Sequence, residues 1–338
     1  MYAIKLEKPW QIECIETEKP VVKTGEALIK VKSAGICGSD IGAFRGTNPL
    51  VSYPRIIGHE IAGEIVSIPE DNVKGLKPGD HVIVDPYLYC KTCYPCSIGR
   101  TNCCTKLKVL GVHVDGGMQE YFAHPADMLW KLPEDIPWEL APLAEPLTIS
   151  LHGIHRGQLK AGEYVAIIGA GPIGLMAAMC ALAYKARPIL IDFVEQRLLE
   201  AEKLGVRYTV NPQRENMVEK VKKITKGNMA ELVMECSGAE SAVQSTLDLV
   251  SNAGRITLTG WPKNVIELQT TAITRKEVDI LGARTSANEF EEAIQLIAGK
   301  QVDVKEVLTK VVSVNEVPDT IKDIEQNPGN YMKVNVMF

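Results

Sequence analysis

The chain has 338 residues, 46% of them hydrophobic and 23% charged, with a formal net charge of −5. That length exceeds a typical domain of about 100–200 residues, so two domains are expected. The acidic balance and the lack of a basic stripe exclude nucleic acid as a partner, and no window approaches the ~18 apolar residues of a membrane span. The start, MYAIKLEKPWQIECIE, has no apolar run behind a basic region, so an unexported, cytoplasmic protein is expected.

From Met1 to about Pro146 the sequence reads as short strands broken by turn residues: EALIKVKSAGIC, IAGEIVSI, DHVIVDPYL and MQEYFAHP. Val, Ile and Tyr recur at alternating positions with Gly, Pro and Asp between the runs, which predicts a β-rich, loop-rich domain. Within it, CKTCYPCSIGRTNCC places Cys90, Cys93, Cys96 and Cys104 inside fifteen residues. Without an export signal, such clustering favours metal thiolates over disulfides. Four soft thiolates suit a closed tetrahedral zinc; an iron–sulfur cluster and a redox dithiol are the alternatives. Cys103 could replace Cys104 only with a shift of loop register, and Cys14, Cys180 and Cys236 read as packing residues.

After Pro146 apolar strands alternate with helical stretches. YVAIIGAG leads into PIGLMAAMCALAYK, PILIDF into VEQRLLEAEKLG, and ELVMECSG into AESAVQSTLDLV, with RITLTG and VDILGAR as further strands. This alternation predicts a parallel, doubly wound sheet. GAGPIG, Gly169 to Gly174, fits GxGxxG, follows the strand Tyr164 to Ile168 and opens a helix at Pro172 and Ile173. Gly169 permits the tight turn, Gly171 lets backbone approach a pyrophosphate, and Gly174 allows helix to pack on strand. Asp192 stands 18 residues beyond Gly174, where a carboxylate accepts both ribose hydroxyls and repels a 2′-phosphate, so NAD is preferred over NADP. Arg197 is expected along the adenine or in solvent, although a nearby Arg can also serve a 2′-phosphate. Ser237, Gly260 and Gly282 stand at later strand ends, where ligands gather in open α/β sheets. From about Ala287 the tail offers a helix, EFEEAIQLIAG, and a strand, YMKVNVMF, that could return to the first domain.

A second set is dispersed: Cys37, the pair His59–Glu60 in GHE, and Glu145 in LAEPLTIS. Singly, each has a structural explanation as a buried thiol, a turn residue or a helix-start acid. Beside a dinucleotide site they describe a metal that polarises an alcohol. Removing hydride from carbon requires its oxygen to become alkoxide-like, and a zinc with an open position achieves this by Lewis acidity.

AGICGSD, GHExxG, the four-cysteine lobe, DGGMQEY, AEPL, GAGPIG and ECSG together make the whole chain similar to the zinc-dependent medium-chain alcohol/polyol dehydrogenases. The resemblance implies an α/β plus β protein. A GroES-like, β-barrel-type catalytic domain (1–147 and 288–338) carries a structural-zinc lobe at about 88–106 and surrounds a doubly wound Rossmann NAD-binding domain (148–287), with the active site in the cleft between them. It implies two zinc ions: a structural one on the four cysteines and a catalytic one on Cys37, His59 and Glu60, with Glu145 binding directly or through water. It further implies Ser39 as acceptor of the substrate proton and Asp40 as the group orienting His59. Two departures stand out. Gly42 replaces the histidine with which many relatives relay the proton outward, and Pro69 stands where Gly or Ala is usual.

GRTNCC, LGVHVDGG, EPLTIS and LGARTSAN most resemble bacterial sugar-acid dehydrogenases that oxidise L-gulonate or L-galactonate at carbon 5. A neutral polyol or L-threonine is the alternative substrate, and a non-catalytic nicotinamide-binding sensor the alternative class. A hexonate needs a cation for its carboxylate, for which Arg284 is the first candidate and Arg55 a weaker one, with His113 serving a hydroxyl. Lys333 is expected near the cofactor pyrophosphate. A homodimer or homotetramer follows from the resemblance alone.

Overall fold

The computed structural model describes residues 1–338, which divide into two compact units. One comprises 1–146, 290–298 and 304–338; the other comprises 147–289 and 299–303. The short stretch 299–303 groups with the unit that carries Gly169–Gly174.

The first unit is built on the long strand Glu26–Ile36, whose alternate residues Ala27, Ile29 and Val31 are buried. It pairs antiparallel with Glu60–Ser67 on one side and with the C-terminal strand Lys333–Met337 on the other. The tail therefore does return to the first unit. The sheet runs Leu129–Lys131, His81–Val84, Glu60–Ser67, Glu26–Ile36, Lys333–Met337, Leu308–Ser313, with Tyr121–Pro125 also paired to Glu26–Ile36. Its registers match Gly35 with both Glu60 and Asn335, so the residues flanking these three positions meet at one end of the central strand.

At that end the chain turns from Ile36 straight into the helix Gly38–Arg45, which the strand-rich pattern did not suggest. Asp40 accepts the Cys37 N–H at 2.9 Å, satisfying one of the free donors at the helix start. Gly46, left-handed at φ 75°, ends the helix, and Ile41, Ala43 and Phe44 fix it to the core. The cysteine lobe is closed at its base by Tyr87–Leu88 pairing antiparallel with Lys108–Val109. Between them lie the short helix Tyr94–Ser97 and a 3₁₀ turn at Thr101–Cys103.

The second unit holds six parallel strands in the order Tyr208–Val210, Arg187–Ile191, Tyr164–Ile168, Ala230–Glu235, Val250–Leu258, Asp279–Gly282. Its strands are buried runs rather than alternating ones, as helices on both faces of a parallel sheet require. Strand order reverses on either side of Tyr164–Ile168, the switch point where open sheets take ligands. No helix is long and apolar enough to cross a membrane.

Candidate functional site

Cys37 leaves the central strand and His59 enters the neighbouring one, so the Gly35–Glu60 register brings their side chains together. One ligand atom from each of Cys37, His59 and Glu60 lies within 4.8 Å of the others. His59 and Glu60 are 6% and 1% exposed, and His59 Nδ1 has no hydrogen-bond partner. Ser39 Oγ, in the first turn of the adjoining helix, is likewise buried without a partner. Glu145 is fully buried in the first turn of the helix Ala144–Arg156, and Tyr87 donates its hydroxyl to Glu145 Oε1.

The electrostatics ask for a cation. Burial opposes charge on His59, yet the Cys37 thiolate, Asp40 and Glu145 together raise its pKa well above the usual imidazole value. Glu145 is pushed up to about 7, chiefly by burial, with His59 pulling down and Glu60 pushing up. A sulfur, an imidazole nitrogen and carboxylate oxygens converging in a dry, negative pocket are the donor set of a catalytic zinc, and these residues fit one.

Two of the expected site residues have close partners within the first unit. Lys333 is buried at 4% exposure, its ammonium grips both carboxylate oxygens of Glu60, and it donates to the Ile36 carbonyl at 3.1 Å. Burial would lower its pKa, but the charges of Glu60 and Cys37 raise it. Gly35 makes the pair possible, since a Cβ there would come within 1.8 Å of Glu60 Oε2. Asp40 holds Cys37 N–H with Oδ2 and lies near enough to His59 for each charge to shift the other's pKa.

The sulfur atoms of Cys90, Cys93, Cys96 and Cys104 also lie within 4.8 Å of one another, with Cys93 3.4 Å from Cys96 and 3.8 Å from Cys104. Disulfide sulfurs would be ~2.05 Å apart, whereas four thiolates ~2.3 Å from a tetrahedral zinc are separated by about 3.8 Å. Backbone N–H groups of Cys90 and Lys106 point at Cys104 Sγ from 3.3 Å, and Thr92 draws the Cys90 thiol down to about 5. The four sulfurs could hold one metal ion between them. Cys103 stands outside this set.

In the second unit Gly169 adopts φ 101°, Gly171 caps the helix Pro172–Ala183, and Pro172 fills its first turn. A Cβ on Gly174 would lie 1.8 Å from the Gly169 carbonyl, whereas one on Gly171 would meet nothing within 4 Å. Ser150 Oγ donates to the Ile173 carbonyl at 2.8 Å. Asp192 braces the turn, accepting Ala170 N–H at 2.7 Å and Val194 N–H at 2.8 Å, while Arg197 sits 3.8 Å from its carboxylate. Ser237 and Gly238 are held by the buried Glu235 carboxylate, and Gly260 packs so closely that a Cβ would meet Gly238 N at 2.2 Å. Gly282 is exposed at its strand end, and its carbonyl accepts from Arg156.

The substrate candidates fare unevenly. Arg55 donates within the first unit, to Asp115 Oδ1 at 2.9 Å and Ser52 Oγ at 2.6 Å. His113 Nδ1 accepts Val109 N–H at 3.1 Å and so closes the turn after the lobe. Arg284 is half-buried just past the strand Asp279–Gly282. Tyr87 was not legible as a site residue, because an aromatic in the run DHVIVDPYL reads as core. The Glu60–Lys333 pair could not be read either, since its partners stand 273 positions apart.

Residues 23–134 match the alcohol dehydrogenase GroES-like domain and residues 172–299 the zinc-binding dehydrogenase family. The chain is 53% identical to an uncharacterized zinc-type alcohol dehydrogenase-like protein of Haemophilus influenzae, over 99% of this chain and 98% of that protein. It is 36% identical to the L-galactonate-5-dehydrogenase of Escherichia coli, over 91% of each. A solved structure from Escherichia coli CFT073, called a short chain alcohol dehydrogenase and complexed with NADH, superposes with a TM-score of 0.93 at 36% identity, covering 100% of this chain and 99% of that one. With its two metal-ligand clusters in one unit and its glycine turn in the other, the chain belongs to the zinc-dependent medium-chain alcohol/polyol dehydrogenases.

Proposed function

We propose that the protein oxidises a secondary hydroxyl of a sugar acid, of the L-gulonate or L-galactonate type at carbon 5, to a ketone, with NAD as hydride acceptor. The observation that carries the reading is the convergence of Cys37, His59 and Glu60 within 4.8 Å in a chain that also forms the Gly169–Gly174 turn. Cys37 and His59 hold the catalytic zinc with a carboxylate from Glu60 or Glu145. Bound there, zinc supplies the Lewis acidity that makes an alcohol oxygen alkoxide-like near neutral pH.

The chain's own groups do the rest. Ser39 Oγ, buried and unpartnered, takes the substrate hydroxyl proton. Asp40 orients His59 by charge and shapes the Cys37 turn. The N–H groups at the start of the helix Pro172–Ala183 hold the dinucleotide pyrophosphate, and Asp192 accepts from the ribose. Gly42 offers no side chain to carry the proton onward, so release runs through Ser39, the ribose hydroxyls and water. Arg284 is the cation assigned to the substrate carboxylate. The resemblance that implies these roles also implies a homodimer or homotetramer.

The relative named for L-galactonate, matched over 91% of this chain against 77% for one named for L-threonine, supports a sugar acid over L-threonine. NADH formation measured with L-gulonate, L-galactonate, sorbitol and L-threonine tests this, with the highest kcat/KM expected for one of the two hexonates. Higher kcat/KM for sorbitol or threonine overturns the substrate, and no turnover of any alcohol by zinc-loaded protein overturns catalysis in favour of a sensor. Cys37→Ala is expected to lower kcat at least 10³-fold while leaving the four-cysteine metal in place.

A further inference from the structure

We propose that Tyr87 is a positioning residue that ties the Glu145 carboxylate to the four-cysteine lobe, so that an intact structural-metal lobe fixes which oxygen Glu145 can offer the catalytic metal. The proposal rests on the metal at Cys37 and His59, and is independent of which alcohol is oxidised.

Tyr87 belongs to both places at once. Its strand, Tyr87–Leu88, opens the lobe three residues before Cys90, and its partner Lys108–Val109 closes it four residues after Cys104, with Tyr87 opposite Val109. The ring is 5% exposed and clusters with Cys104 and Leu107, against which Cys90, Cys93, Cys96 and Val109 also pack. Its backbone N–H is fixed by Asp85 Oδ1 at 3.1 Å. From this anchored ring the hydroxyl reaches out of the lobe and donates to Glu145 Oε1.

A phenylalanine would fill the lobe's small core equally well, so packing does not explain the hydroxyl. Its consequence is chemical. A carboxylate has two oxygens and about four acceptor positions, and a phenol O–H on Oε1 takes the best of them on that atom. Oε2 remains for a cation or its water. Partners that orient metal-binding carboxylates in this way commonly change metal affinity 10–100-fold when removed. The lobe thereby acquires a role in addition to its own stability: losing its metal would release the Tyr87 ring and, with it, the carboxylate.

The test exchanges cobalt(II) into the Cys37–His59 site of the full chain with zinc kept in the lobe, and compares visible spectra and catalytic-site zinc affinity by chelator competition. Tyr87→Phe is expected to keep its melting temperature and lobe zinc, shift the cobalt bands, and change affinity about 10–100-fold. Cys96→Ser, which opens the lobe, is expected to give the same band shift, and the double variant no further shift. Wild-type bands and affinity in Tyr87→Phe, alongside altered ones in Glu145→Gln, would overturn the proposal. So would a band shift from Cys96→Ser that adds to that of Tyr87→Phe, because the lobe would then act by another path. Failure of the substrate assignment appears separately, as wild-type protein that oxidises neither hexonate while its cobalt bands still respond to Tyr87→Phe.

Discussion

Glu60 and Lys333 form an ion pair with almost no access to water, 1% and 4% exposed. Desolvating two charges costs several kcal/mol each, and their attraction repays this only with close geometry and further hydrogen bonds. Here both conditions hold, through the two-oxygen grip and the Ile36 carbonyl. The pair also constrains the metal site: a carboxylate already neutralised by an ammonium is a weaker zinc ligand than a free one, which raises the importance of Glu145. Lys333→Met leaves Glu60 buried without its cation and is expected to cost about 3–5 kcal/mol in urea unfolding. Adding Glu60→Gln should recover most of it, and NADH affinity should stay within threefold of wild type. A large loss of NADH affinity with unchanged stability would instead return Lys333 to the cofactor. Side chains of this kind were the least legible part of the sequence. In YMKVNVMF, Lys333 and Asn335 alternate with apolar residues, a pattern that does not show that both are buried, Lys333 on the Glu60 carboxylate and Asn335 donating to the Glu139 carbonyl at 2.7 Å.

Elements were far more legible, since each rests on short-range pattern. The strand–glycine turn–helix unit at Tyr164–Ala183 follows from local chemistry, and the structure forms it with each glycine used differently. Gly174 answers to the protein itself, because a methyl there meets the Gly169 carbonyl at 1.8 Å; Gly171 does not, having open space around it. Gly174→Ala is therefore expected to lower stability by about 1–3 kcal/mol, as overpacking does. Gly171→Ala should change stability by less than about 0.5 kcal/mol yet weaken NADH binding at least tenfold, since only a bound pyrophosphate needs that space. Thermal melts beside NADH fluorescence titrations separate the two, and wild-type NADH affinity in Gly171→Ala would show that the phosphates lie elsewhere. The helix Gly38–Arg45 marks the limit of local pattern. Its sequence, GSDIGAFR, carries two glycines, and it forms because Asp40 satisfies the turn at Cys37 and the core takes Ile41, Ala43 and Phe44.

Across the whole molecule the labour is divided by unit. Both cysteine-containing metal clusters belong to the unit of 1–146, 290–298 and 304–338, and the glycine turn with Asp192 belongs to the unit of 147–289 and 299–303. The change from alternating strands to strand–helix repeats made that division readable, whereas the return of 304–338 to the first sheet depended on pairing that no local pattern contains. The division has a measurable consequence. A metal on Cys37 and His59 would have mixed ligands and an open position, while one on the four cysteines would be enclosed by thiolates, so a chelator should remove the former first and the latter slowly. Zinc content is expected to fall from two per chain to one as alcohol oxidation disappears, with NADH affinity unchanged within about threefold, because every group bracing the glycine turn lies in the second unit. The second zinc should leave only as the protein loses structure, since closed thiolate sites contribute folding energy directly. Metal analysis, activity and NADH fluorescence followed on one sample test the sequence of events. Simultaneous loss of both metals would mean that the lobe is no better enclosed than the Cys37–His59 site, and loss of NADH binding with the first metal would mean that the two units do not bind their ligands independently.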